Sequence, residues 1–373
     1  MTKETRGTKL YYHLCCFVVF FVVASISLNG FYQKWHFHEE DIPGDNTDAS
    51  FDRMVDRTAH RPYVYRQLIP AIANGLDRIT PQTVRTWLYT RQGSGEDAYL
   101  YTITISLTAD DEVYFFRYLV AYLATFLFAL LALYSLYWLC RALGTPPPAA
   151  LCASALFMLL FPYVMSVGGF FYDFSELALF ALGALMALKL DWWWMIPVAA
   201  LGEFNKESYM LMVVALYPLM RERSSRRGAM VGVGVLFVVC LAVYYPMRVH
   251  FAQNAGGNME VQWREQLSYF LHPLATMLDT DETYGMRAPR IFTLVPMALL
   301  VWTLVRGWKQ LPNAIKQHAR IAAAINVPLF LLFCSPGEMR DLSMLDLVFV
   351  LVLAGNLNRW IEGAGRTEPA RVG

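Results

Sequence analysis

The chain has 373 residues, 56% of them hydrophobic and only 16% charged, with a formal net charge of +1. That composition excludes an ordinary soluble globule and describes a polytopic membrane protein. It also argues against a nucleic-acid partner, because phosphate backbones need a concentrated basic surface and none is visible.

In chain order, Lys3, Arg6 and Lys9 precede an apolar run over 10–30. The pattern fits a signal peptide, but the run approaches the roughly 20 residues that cross a bilayer, so an uncleaved first span with its N-terminus inside is preferred. Apolar runs at 113–139, 149–167, 174–190, 192–204, 208–220, 229–247, 291–305, 321–334 and 342–357 follow. Together they predict an all-α transmembrane bundle of about ten spans, some short enough to be tilted or broken. The stretch 192–220 decides the count, being either one long helix or a short hairpin hinged at Asn205. The hairpin puts Arg221, Arg223, Arg226 and Arg227 on the same side as the basic N-terminus, where short basic loops stay inside, and it is adopted here.

The whole of 1–373 then reads as a single integral membrane domain with both termini cytoplasmic. The first span is followed by an extracytoplasmic loop over 31–112, a helical bundle over 113–247, a second outer loop over 248–290, C-terminal spans over 291–357 and a cytoplasmic tail over 358–373. Only Glu4, Asp191, Glu222, Glu362 and Glu368 of the thirty acids fall inside. Any chemistry therefore faces out.

In the first outer loop, Leu68, Ile69, Ile72, Leu76 and Ile79 recur at helical spacing opposite Asn74, Asp77 and Arg78, which predicts an amphipathic helix lying on the membrane. A second short helix carries Val84, Trp87 and Leu88. Residues 99–107 alternate like a strand but have no evident partner, and Asp110-Asp111-Glu112 suits the N-terminus of the second span. The second outer loop holds the turn-rich Asn254-Ala-Gly-Gly-Asn258 and reads as a connector or as a cover for a site. Pro146-Pro147-Pro148 makes a stiff inner turn, and Trp192-Trp193-Trp194 an interfacial anchor. The six cysteines fall in or beside apolar runs without CxxC spacing, so neither a disulfide framework nor a zinc knuckle is indicated.

Within this frame, Glu203-Phe-Asn-Lys206-Glu207-Ser208 stands out, with charges at i, i+3 and i+4 of a helix that cannot face lipid. These charges either form an ion pair that fixes helix packing or line a working cavity. Three further clusters share the outer side: the acids and arginines of 39–66, Tyr172-Asp173 with Glu176, and Glu338-Met-Arg340-Asp341. Fixed cations at a lipid–water boundary suit a phosphate head group, with Arg giving paired contacts and Lys a point charge. A neighbouring carboxylate can deprotonate an attacking hydroxyl. His36 and His38 at i, i+2, with Glu39, Glu40 and Asp41 following, permit a metal reading, but a polar span end explains them as well. No P-loop, Rossmann, nucleophile-elbow or zinc-protease motif appears, and no cofactor is called for; a divalent metal has no support.

At these residues the chain resembles the GT-C class of polytopic glycosyltransferases. Its first span followed by a long outer loop with membrane-parallel helices is similar to their layout, and Asp48-Ala-Ser-Phe51 with the later Pro62 is similar to their acidic motif. Pro62 to Pro70, Tyr172-Asp173, Lys206-Glu207 and Glu338-Met-Arg340 also look like motifs of bacterial membrane families near that class. The chain departs from the class where Ala49, in place of a second acid, follows Asp48, and where Glu39-Glu40-Asp41 forms a rival motif nearer the first span. The resemblance implies transfer of a sugar from a polyprenyl-phosphate donor to an envelope glycan, lipid or protein acceptor. The protein would be a multi-pass protein of the cell membrane, in a bacterium the inner one, with membrane lipid as a partner. It also implies a catalytic acid at Asp48 or Asp41, and substrate-binding roles for Arg61, Arg66, Asp173, Lys206, Glu207, Glu338 and Arg340. A transporter or flippase for an anionic or lipid-linked substrate is the rival class, and a non-catalytic assembly protein a third.

Overall fold

The computed structural model describes residues 6–37, 47–91, 112–165, 168–257 and 261–364. The chain is nearly all helical. Among the described residues, five helices are long and apolar enough to cross a membrane: Leu10–Trp35 within α1 (Arg6–Trp35), α5 (Glu112–Ala142), α6 (Pro147–Val164), α11 (Arg226–His250), and Met339–Gly363, which runs into α16 (Asp346–Ala364). The other expected spans are helical too, but shorter or interrupted by charge. They are α7 (Tyr172–Lys189), with Asp173 and Glu176 in its opening turns, α14 (Ile291–Gly307), α15 (Asn313–Phe333), and the two arms of 192–220.

Those arms are α8 (Ile196–Asn205), entered through a 3-10 turn at Trp192–Met195, and α9 (Tyr209–Ala215) continuing into α10 (Tyr217–Arg221). They form a hairpin. Lys206 between them is fully extended (φ −159°, ψ 136°). At the open end Trp192 and Met220 both pack against Gly232 of α11, and the Arg223 guanidinium donates to the Lys189 carbonyl at 2.6 Å. At the tip, Glu203 and Glu207 lie level with Tyr244 and Arg248, sixteen residues further along α11, or about 24 Å of helix. The arms lean on each other through Tyr209, whose ring covers Gly202 so closely that a Cβ there would overlap it.

Small residues set the core. Ala121, Ala129 and Ala132 of α5 and Ala178, Ala181 and Ala184 of α7 are fully buried, and these two helices make the most extensive contact in the fold. Without a hydrophobic drive between helices in lipid, such residues let backbones approach and gain dispersion contact.

Between α1 and α5 the chain carries a short helix α2 (Phe51–Val55), then α3 (Leu68–Ile79) and α4 (Gln82–Tyr89). The apolar face of α3 divides: Leu68 and Ile69 are buried where the helix packs on α5 and α8, whereas Leu76 and Ile79 at its far end are exposed. Asp77, expected on the polar face, is buried between Arg85 at 2.9 Å and Arg117 at 3.1 Å. Helix α5 is 31 residues, about 46 Å, so it outreaches the hydrocarbon layer and its first turns hold this segment. His38, Glu39, Glu40, Asp41, Asp45, the alternating stretch 99–107, Asp110, Asp111 and Asn258 lie outside the described residues.

The segment between α11 and α14 is more structured than its sequence suggests. Helices α12 (Trp263–Leu271) and α13 (Pro273–Leu278) lead into strands β1 (Thr280–Thr283) and β2 (Met286–Pro289), antiparallel from Thr280↔Pro289 to Thr283↔Met286. The two-residue turn Tyr284-Gly285 has both φ angles positive (57° and 74°), a primed turn that matches strand twist. Its tip docks on the bundle: the Tyr284 hydroxyl donates to the Leu159 carbonyl at 2.5 Å, its ring packs on Gly30, and Lys34 meets Asp281 at 2.6 Å. The side-chain amide of the buried Gln266 donates to the carbonyls of Phe330, Cys334 and Ser335, which fixes α12 across the end of α15.

Candidate functional site

Three separate segments meet at the hairpin tip. The 3-10 turn Tyr63–Tyr65 delivers Arg66, and Gln67 anchors it: the Gln67 backbone N–H donates to the Phe204 carbonyl at 3.0 Å and its side chain to the Val64 carbonyl at 2.9 Å. The N-terminus of α7 presents Tyr172, Asp173 and Glu176. Asn205 clamps the tip onto it, its amide donating to the Tyr172 carbonyl at 3.0 Å and its oxygen accepting from Ser175 at 2.5 Å. The 3-10 segment Met339–Leu345 brings Arg340 and Asp341, held by the Asn326 side chain of α15, which donates to the Asp341 carbonyl at 2.6 Å and accepts from the Met344 N–H at 3.2 Å.

Because Lys206 is extended, its ammonium leaves the α8 face and enters this cluster. It meets Glu176 at 2.8 Å, Asp341 at 3.0 Å and Asp173 at 3.6 Å. Arg340 reaches both Asp173 oxygens, at 3.0 and 3.2 Å, binds Glu338 through its other nitrogen, and stacks on Phe170. Arg66 bonds the Tyr172 hydroxyl, approaches Glu207 at 3.4 Å, and lies over the Tyr172 ring. Ser208 and Ser343 donate to the second Glu176 oxygen at 2.5 and 3.1 Å. Three cations, Arg66, Lys206 and Arg340, thus stand among five carboxylates: Asp173, Glu176, Glu207, Glu338 and Asp341.

Burial opposes charge throughout the cluster, and pairing decides each outcome. Burial alone would lower Lys206, but Glu176, Asp341 and Asp173 outweigh it and hold the ammonium well above the ordinary lysine range. Burial would raise Glu207, but Arg66 overrides it and keeps the carboxyl below its ordinary value. At Glu338 burial wins over Arg340 and pushes the carboxyl up.

The cluster floors a half-open cavity of about 380 Å³. Arg66, Lys206, Glu207 and Arg340 line its floor, and Leu211 of α9 with Leu329, Phe330 and Phe333 of α15 form an apolar wall. Arg66 and Arg340 are each more than nine-tenths buried, and each has an Nε–H with no acceptor among the described residues. Cys334, Glu338 and Asp341 place ligand atoms within 4.8 Å of one another and could hold a metal ion, although Arg340 and Lys206 already engage the two carboxylates.

Of the site residues expected from sequence, Arg66, Asp173, Lys206, Glu207, Glu338 and Arg340 converge here. Arg61 does not, because its guanidinium donates to the Gly256 carbonyl at 2.5 Å and its backbone N–H to the Ala255 carbonyl at 2.9 Å, tying the segment after α1 to the one after α11. Asp48 is engaged elsewhere, with His60 at 3.1 Å and Arg53 at 3.7 Å, and is not among the cavity's lining residues. Asp41 lies outside the described residues. His36 packs edge-on against Tyr32, and its expected companion His38 is likewise undescribed. Sequence reasoning passed over Arg248, Tyr244 and Asn326, which also line the cavity; a polar side chain within an apolar run, as at Asn326, was the available signal. The chain matches no protein-family model and, at a significant level, no curated protein.

Proposed function

We propose that the protein transfers a sugar from a polyprenyl-phosphate donor to an envelope glycan, lipid or protein acceptor at the extracytoplasmic face of the membrane. The observation that carries this reading is the meeting of Arg66, Lys206 and Arg340 along one cavity whose adjoining wall is apolar. Guanidinium donors and a fixed ammonium suit phosphate oxygens, while the α9 and α15 wall suits an isoprenoid chain. In the reaction the acceptor oxygen attacks the anomeric carbon as the bond to the phosphate oxygen breaks. The electron pair leaves with the phosphate, where Arg66, Lys206 and Arg340 offset the developing charge. The hydroxyl proton passes to a carboxylate, and Glu207 fits this role because it lines the cavity and Arg66 keeps it ionised.

The same proposal takes α7, the hairpin, α14 and α15 as further membrane-embedded segments, about ten spans in all, with both termini cytoplasmic. A cysteine at Ser224 should then react only with permeant reagents, and one at Gln253 with impermeant ones; the reverse would invert the site. For the chemistry, membranes carrying Glu207→Gln and a labelled polyprenyl-phosphate sugar should bind donor normally and transfer at least about a hundredfold more slowly. Transfer at the unmodified rate would remove Glu207 as base. Movement of intact donor between leaflets, with no bond broken, would favour the transporter reading.

A further inference from the structure

At the end of α7 away from the candidate site, charge and apolar surface meet a second time. Leu182, Leu185, Met186 and Lys189 recur at i, i+3, i+4 and i+7 and so share one face of α7, while Trp138 and Arg141 share one face of α5. Together they line an open groove of about 550 Å³. Among the described residues, no acid lines it. Lys189 stands at the opposite end of α7 from Asp173, about 24 Å along the helix, so the groove is separate from the cluster.

Both cations stand at helix ends. Arg141 lies in the last turn of α5, where one amino group donates to the Thr145 carbonyl at 2.6 Å and leaves most of the guanidinium fork uncommitted. Lys189 closes α7, is exposed, and its ammonium meets no acceptor among the described residues. Asp191, two residues on, pairs with Arg223 at 4.0 Å, has 64% of its side chain exposed and does not line the groove. Arg223 also donates to the Lys189 carbonyl at 2.6 Å and adds a third cation at this end. The apolar part runs the other way. From Lys189 back to Leu182 is about 10 Å along α7, walled by Leu185 and Met186 and bordered on the α5 side by Trp138. Trp138 is 46% exposed and packs edge-on against Tyr137, and such amphipathic rings sit at the level of lipid headgroups. A ligand that fills the groove therefore carries negative charge at the helix ends and hydrocarbon toward the middle of the bundle. A free phosphate would leave the apolar wall bare, and a zwitterionic headgroup would bring a cation of its own to the two already there.

We infer that this groove binds an anionic phospholipid of the leaflet opposite the candidate site. Its phosphate is held by Arg141 and Lys189, and the start of an acyl chain lies along Trp138, Leu182 and Leu185. Basic pockets between helices at one membrane face take such headgroups. No residue of the Arg66, Lys206 and Arg340 cluster takes part, so the site does not depend on sugar transfer.

The test is lipid binding to the purified full chain in detergent, read by native mass spectrometry with phosphatidylglycerol and phosphatidylcholine as probes. Wild type should prefer phosphatidylglycerol by about tenfold or more. Arg141→Met combined with Lys189→Met should weaken that binding by about tenfold or more. Arg226→Met combined with Arg227→Met removes the same charge from the exposed start of α11 and should leave binding within about twofold of wild type. Leu185→Trp, which fills the groove and keeps both cations, should weaken binding as well. Because Arg141 also caps α5, Lys189→Met decides the matter alone if the paired variant does not fold; it should weaken binding by about fivefold. Equal binding of the two lipids, equal weakening by the two paired variants, or wild-type binding in Lys189→Met or Leu185→Trp overturns the site. Displacement of the lipid by millimolar inorganic phosphate overturns the lipid occupant in favour of a free anion.

Discussion

At Asp48 a carboxylate meets His60 at 3.1 Å and Arg53 at 3.7 Å, and about half of its side chain (48%) is exposed. At Lys206 an ammonium meets three carboxylates between 2.8 and 3.6 Å with 7% of its side chain exposed. Both regions pair acids with bases, and only in the second is the central cation buried. In water the first pair gains little from its charges, because solvent screens them and the side chains lose freedom in meeting. The second cannot ionise without its partners, so its geometry is fixed by electrostatics and is available for chemistry.

The sharpest way to break this contrast is Lys206→Met. Removing the ammonium leaves buried carboxylates uncompensated, at a cost of about 3–5 kcal/mol. The variant should melt markedly lower in detergent and accumulate less in membranes, and a second change, Glu176→Gln, should restore part of the loss. Unchanged melting of Lys206→Met would mean that the cluster is wet.

Titration sharpens the contrast next. Glu207 has a folded value below its ordinary carboxylate value of 4.5, so its contribution to stability is fully present above that pH and is lost as pH falls through the folded value. The melting difference between wild type and Glu207→Gln should therefore be constant near about pH 7 and close toward about pH 3. A difference that grows on acidification would contradict the Arg66 pairing.

The smallest effect belongs to Asp48→Asn. A half-exposed pair of this kind contributes under about 1 kcal/mol, so melting should scarcely move and donor transfer should persist. Loss of transfer with normal melting would return the catalytic acid to the first loop.

The meeting of Arg66, Asp173, Lys206, Glu207, Glu338 and Arg340 was legible because charges in an apolar chain have few places to go, and short turns at one side hold them together. The order within the cluster was not. Reading 203–207 as a continuous helix put Glu203 and Lys206 on one face, whereas with the backbone extended at Lys206 its ammonium meets Glu176 while Glu203 accepts from the Met210 N–H. The hinge at Asn205 could be anticipated from the arginines after 220, while its clamp onto Ser175 and Tyr172 is a tertiary contact that no spacing encodes. Asp48 drew attention through its local motif, which says nothing about burial. The β1–β2 hairpin went unseen because Tyr284-Gly285 lacks the Asn-Gly or Asp-Gly signal of such turns, and its left-handed tyrosine is held by docking on Gly30 and Leu159.

The central claim is that the Arg66, Lys206 and Arg340 cavity holds the phosphate of a lipid-linked donor. The most direct measurement is equilibrium binding of a labelled polyprenyl phosphate to the purified protein and to Arg66→Met and Arg61→Met. These two arginines lie five residues apart, and only Arg66 lines the cavity. Losing a charge-assisted contact of about 1.5–3 kcal/mol should weaken binding by about tenfold or more in Arg66→Met and leave Arg61→Met at the wild-type value. Equal affinity in all three proteins, or weaker binding in Arg61→Met alone, would contradict the account.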